Sequence, residues 1–95
     1  DYQYKNPSLA IDWLEKAARA GNAPAQFNLG AQYVNADFVK RDFLKAYFWF
    51  SVADKNGSGN TKSALDMCRK KLTAAEMAEI DAQVPAIITA FKPQP

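Results

Sequence analysis

The feature that most constrains this chain is an internal repeat. Trp13 and Trp49, the only two tryptophans, stand 36 residues apart. The same interval joins Ala10 to Ala46, Ala17 to Ala53, Gly21 to Gly57 and Leu29 to Leu65. It also joins Asn6 to Asp42, each placed where the N-cap of an apolar-periodic helix belongs. Coincidences of this number at one offset mark a repeat protein, in which each unit buries its apolar face against its neighbours.

Periodicity within the unit predicts five helices. Ala10, Trp13, Leu14 and Ala17 follow i, i+3, i+4, i+7 spacing, the inward face of a helix from about Pro7 to Ala20. Pro7 suits its first position, and Gly21 ends it in a left-handed conformation. Asn22 caps a second helix whose face carries Gln26, Leu29, Gly30 and Tyr33, with Pro24 tolerated in the first turn. Residues 35–41 form a loop. Asp42 caps a third helix with Ala46, Trp49, Phe50 and Ala53 inward. Gly57-Ser58-Gly59-Asn60 ends that helix, and a fourth runs through Ala64, Leu65, Cys68 and Leu72. Thr73 and Glu76 form a capping box that opens a fifth. The fifth presents Met77, Ile80, Val84, Ile87, Ile88 and Phe91, with Pro85 expected to kink or split it. The tail Lys92-Pro-Gln-Pro is expected to fray.

Small residues such as Ala17, Gly30 and Ala53 are expected to let helix backbones approach, while Trp13, Trp49 and Tyr33 fill the spaces between. The third helix carries Phe48 and Val52 where the first has Asp12 and Lys16. That side is expected beneath the fifth helix, through Ile80, Val84 or Ile88.

Composition narrows the function. Ninety-five residues make one domain, which buries roughly 60–65% of its unfolded surface. Twelve basic and ten acidic residues give a net charge of +2, and the basic ones are scattered. That pattern argues against a nucleic-acid or membrane-surface partner. No apolar run approaches the roughly 20 residues of a membrane span. There is no histidine, which removes the commonest general base and the commonest metal ligand. The single cysteine, Cys68, lies on an apolar face with Ala64, Leu65 and Leu72 and reads as a buried structural thiol. Arg69, Lys70 and Lys71 complement the dipole at a helix C-terminus. Asp12–Lys16 and Glu15–Arg19 have the spacing of solvated helix pairs, not of catalytic carboxylates, and Glu76 and Glu79 form no reacting cluster. No phosphate loop, zinc spacing or calcium loop is present. Neither an enzyme nor a bound cofactor or metal is expected.

The stretch "AIDWLEKAARAGNAPAQFNLGAQY" (Ala10–Tyr33), followed by Val39, Asp42 and "KAYFWFSVADKNG" (Lys45–Gly57), resembles the Sel-one-like repeat (SLR), a relative of the tetratricopeptide repeat. The likeness extends from Asn6 to Ile80, and Lys45–Ile80 resembles the closing end of such arrays. Two departures occur. Ala36 and Phe38 stand where the family loop has glycines, and the second "NLG..Y" reads "ALDMCRK" (Ala64–Lys70), with Asp66 for Gly30 and Arg69 for Tyr33.

The resemblance implies an all-α fold, a right-handed α/α superhelix of about five helices in a single domain over residues 1–95, with residues 73–92 as a C-terminal capping helix. It also implies a bacterial, non-catalytic protein–protein interaction scaffold that takes a protein or peptide on its concave face. Tetratricopeptide geometry places Phe27, Ala31 and Val34 there, and one repeat later Ser63, Met67 and Lys70, bordered by Gln32, Asn35 and Lys71. Two alternatives stay open: a purely structural terminal segment of a larger repeat protein, and a nucleic-acid-binding helical repeat. By the same offset Asp1 and Tyr2 align with the loop residues Asp37 and Phe38. The first helix is then expected to lack its hairpin partner, leaving Leu9, Ile11 and Trp13 partly uncovered. The chain is accordingly expected to be the C-terminal fragment of a longer array, with self-association through that open end as a consequence. Compartment stays open between the periplasm, cell envelope or exterior, if a signal peptide was removed, and the cytoplasm.

Overall fold

The structure, a computed structural model, describes residues 7–35 and 41–91 and holds five helices and no strand among them. These are α1 (Pro7–Arg19), α2 (Ala23–Asn35), α3 (Phe43–Lys55), α4 (Lys62–Arg69) and α5 (Ala74–Phe91). The Asn6 cap, the loop residues Ala36 and Phe38, the side chains of Leu9 and Ala10, and the tail from Lys92 lie outside the described residues.

The 36-residue period is written in the backbone hydrogen bonds. After α1 the N–H of Gly21 donates to the Ala18 carbonyl and that of Asn22 to Ala17, both at 3.1 Å. One period later the N–H of Gly57 donates to Asp54 at 3.2 Å and that of Ser58 to Ala53 at 2.9 Å. This pair of bonds needs a left-handed residue after the helix, and Gly21 (φ +100°) and Gly57 (φ +94°) supply it without a Cβ clash. Helix starts are equally local. Asn22 Oδ1 accepts from the Ala25 N–H at 2.8 Å, and Asp42 Oδ1 from the Lys45 N–H at 3.0 Å. Thr73 and Glu76 complete their capping box in both directions, at 2.9 and 3.1 Å. At α4 the pattern changes: the Thr61 hydroxyl donates to Asp54 at 2.6 Å instead of capping its own helix.

α3 is the hub, packed by α2, α4 and α5, while α1 packs on α2. Leu29, Ala46, Val52 and Ala53 are completely buried there, and Phe50 nearly so. Gly30 faces the Phe50 ring so closely that a Cβ would stand 2.9 Å from Cδ1 and Cε1. α5 lies along α3 as expected: Val52, Ile80 and Val84 are buried, and the Tyr47 hydroxyl donates to Asp81 at 2.8 Å. Phe48 is only half-buried, its ring edge-on to Trp49 at 5.0 Å, and it lines an open cleft together with Glu79, Ile80 and Gln83 of α5.

Three expectations are corrected. The inward face of α1 is centred on Ile11, Leu14, Ala17 and Ala18, and Trp13 does not belong to it; Ala10 lies outside the described side chains. Ile11 and Ala18 are buried, whereas Trp13 is 72% exposed. Trp49 is buried because Arg19 of α1 and its neighbour Phe48 lie against it; nothing described lies on the equivalent side of α1. Pro85 does not split α5, which runs unbroken from Ala74 to Phe91. The proline forfeits one backbone bond, but Ile80 and Val84 on one side and Phe91, close to Gly21, on the other pin the helix to its neighbours. Finally, α4 ends at Arg69, so Leu72 sits in the turn before α5 and Lys70 is the C-cap.

Candidate protein-binding surface

Phe27, Ala31 and Val34 recur at i, i+4, i+7 and so share one side of α2. All three are half-buried and rest on the core, Phe27 with its ring tilted against Phe50 at a centroid distance of 5.1 Å. Ser63 and Met67 lie on α4 and Lys70 just after it; all three are exposed, Met67 by 38%. α2 and α4 both pack on α3, so the two groups belong to neighbouring helices bridged by it. Bordering the first group, the Gln32 Oε1 is buried with no hydrogen-bond partner in the chain.

Among the described residues two clefts open elsewhere, and none of these six residues lines either. The larger, about 520 Å³, lies between α1, α3 and α5 and is lined by Glu15, Arg19, Leu44, Phe48, Trp49 and Glu79 among others. Both of its basic side chains have partners within the cleft. The Arg19 guanidinium lies 5.5 Å from the Trp49 ring centroid and 3.0 Å from Glu15, and Lys45 lies 5.4 Å from the Tyr33 ring. The smaller, about 410 Å³, includes Tyr47, Arg69 and Asp81. Burial, then the hydrogen bond to Asp81, pushes the Tyr47 hydroxyl above the ordinary tyrosine range. Burial also pushes the Cys68 thiol up to about 11, so it is protonated at neutral pH and a poor nucleophile. No cluster of three histidine, cysteine or carboxylate side chains suited to a metal occurs among the described residues. No described helix is long and apolar enough to cross a membrane.

Sequence reasoning missed one polar network. Asn56 Nδ2 donates to the Gly21 carbonyl at 2.7 Å and to Gln26 Oε1 at 3.3 Å. Gln26 Nε2, in a fully buried side chain, donates to the Ala18 carbonyl at 2.9 Å. The network ties the α1–α2 turn to the end of α3 and leaves no buried amide of Gln26 unpaired. A glutamine on the inward face of α2 was the available signal, because a buried amide requires partners.

Among curated proteins no match to the chain is found. Among solved structures the chain is similar to c5321, described as a protective antigen present in uropathogenic Escherichia coli strains displaying an SLR fold. The two share 28% identity at a TM-score of 0.73, over 90% of this chain and 21% of that one. The chain therefore spans about a fifth of that protein's length. Repeats of this type are generally protein–protein interaction scaffolds and typically non-catalytic. The model of the Sel1 repeat matches residues 2–22 and 23–58, the second match spanning one full period of the hydrogen-bonded caps. With its helix order and that match, the chain belongs to the Sel1-repeat family.

Proposed function

We propose that the chain is a non-catalytic scaffold that holds an extended peptide segment of a partner protein along the side of α2 and α4 bearing Phe27, Ala31, Val34, Ser63, Met67 and Lys70. The observation that carries this reading is the graded exposure across the two helices. α2 offers half-buried apolar side chains backed by Phe50, a rigid floor, and α4 offers the exposed, conformationally adaptable Met67 beside Lys70. The unpartnered Gln32 Oε1 adds a second argument: once its side chain turns outward, a donor from the bound backbone satisfies it. Lys70 favours a segment with an acidic residue near the Met67 end.

The test is selection of a peptide library on the immobilised chain. Selected peptides should carry an apolar residue near an acidic one, and Met67→Lys and Lys70→Glu should each weaken them at least tenfold without changing the melting temperature. Both substitutions fall on exposed positions, so folding is not at issue. Binding that is unaffected by both variants contradicts the reading. A second reading places the segment in the α1–α3–α5 cleft, favoured there by the exposed Leu44 and the half-buried Phe48. It predicts loss on Leu44→Asp instead.

A further inference from the structure

Asn56 is the one asparagine of this chain followed by glycine; the others precede Pro7, Ala23, Leu29, Ala36 and Thr61. An asparagine in that position is chemically labile. The backbone nitrogen of the next residue can attack the side-chain carbonyl carbon, and a glycine leaves that nitrogen unshielded and its backbone free to rotate into line. The new bond between the Gly57 nitrogen and Asn56 Cγ closes a five-membered succinimide. The Cγ–Nδ2 bond breaks, and ammonia leaves with the proton that the Gly57 nitrogen gives up. Water then opens the ring at one carbonyl or the other, leaving aspartate or isoaspartate.

The fold opposes each part of this reaction. Ring closure needs the Gly57 nitrogen to swing toward the Asn56 Cβ. At ψ 12° it nearly eclipses the Asn56 nitrogen instead, a different substituent of the same tetrahedral carbon. The Gly57 N–H is also engaged, donating to the Asp54 carbonyl at 3.2 Å. The leaving nitrogen is held as well, since Nδ2 donates to the Gly21 carbonyl at 2.7 Å and to Gln26 Oε1 at 3.3 Å. One repeat earlier Ala20 precedes Gly21, so the glycine belongs to both turns and the reactive pair to this one alone.

The contacts that protect Asn56 also reject the product. Both atoms facing Nδ2 are acceptors, so a carboxylate in its place meets two oxygens and no donor. Turning the Gln26 amide to offer its Nε2 would break that nitrogen's bond to the Ala18 carbonyl. Isoaspartate further inserts a backbone carbon ahead of the Gly57 and Ser58 N–H groups, whose bonds to Asp54 and Ala53 close α3.

We infer that Asn56–Gly57 is a deamidation site gated by folding. It is inert while the α1–α2 turn and the end of α3 are tied together and reactive once they part. After it has reacted, it no longer rebuilds the turn. Time spent unfolded is thereby recorded irreversibly, and the chain's working lifetime is set by how often it opens.

The test ages the whole chain at mildly alkaline pH, once in native buffer and once in guanidinium chloride, and follows position 56 by peptide mapping with mass spectrometry. Aspartate and isoaspartate should form there at least tenfold faster in the unfolded chain, and ahead of every other asparagine. Returned to native buffer, the aged chain should lose cooperative refolding in proportion to the modified fraction. Asn56→Ser, aged in the same way, should refold as well as its own unaged sample, which separates deamidation from other damage. Asn56→Asp should melt below the parent. Equal rates in the native and unfolded chain overturn the gating. A chain deamidated at Asn56 that refolds to the parent's melting temperature overturns the irreversible step. Neither substitution touches the six residues of the proposed peptide strip, so this test and that of the strip fail independently.

Discussion

At Gly30 a single methyl group separates a folded core from a strained one. A Cβ there would stand 2.9 Å from two carbons of the Phe50 ring, and that ring is 2% exposed and also packs, tilted, on Phe27. The ring has no room to retreat, so Gly30→Ala should destabilise the chain by about 1–3 kcal/mol in a denaturant melt, the usual cost of overpacking. Phe50→Leu in the same background should recover part of that loss. A Gly30→Ala variant as stable as the parent would show that the two helices do not approach this closely. The glycine was legible in the sequence because its shape role is local to the repeat motif. The burial of the tryptophans was not. Trp13 and Trp49 occupy equivalent positions, yet one is 72% exposed and the other 3%. Periodicity assigns a residue to a face of its helix; only the neighbouring helix decides whether that face is covered.

Among elements, what the sequence announces is what each helix settles within a turn of its own ends. The asparagine, aspartate and threonine caps and the two left-handed glycines all fall where spacing placed them, since these bonds join residues at most five apart. Tertiary packing overrode the local signal at Pro85, where burial on either side outweighs one missing backbone bond. Register across helices was likewise hidden. The rotation of α1 that buries Ile11 and Ala18 and the Asn56–Gln26 network both depend on partners 8 to 35 residues away. α5 is the element whose loss would be most damaging, because it covers the side of α3 with Val52 and supplies Ile80 and Val84 to the core. Truncation after Thr73 should abolish cooperative thermal unfolding or bring aggregation, as a solenoid does without its terminal cap. A truncated chain that stays monomeric with an unchanged melting temperature would show that α1 to α4 suffice.

At the scale of the molecule, two helical hairpins and a closing helix make a body 39 × 39 × 21 Å, thin in one direction and broad in the others. A shape of this kind gives a 95-residue chain more surface than a compact bundle would, which suits a protein whose family works through contacts. The candidate strip was legible only as a family position: nothing in periodicity alone distinguishes Phe27 and Met67 from ordinary half-buried residues, since a binding surface is defined by what is absent beside it. Chemical-shift mapping by heteronuclear NMR, with a peptide selected on the wild-type chain, tests the account most directly. The amides of Phe27, Ala31, Val34, Ser63, Met67 and Lys70 should shift together and saturate at one stoichiometric equivalent, with the Gln32 side-chain amide among them. Shifts confined to Glu15, Arg19, Leu44 and Phe48 would place the partner in the α1–α3–α5 cleft and contradict it.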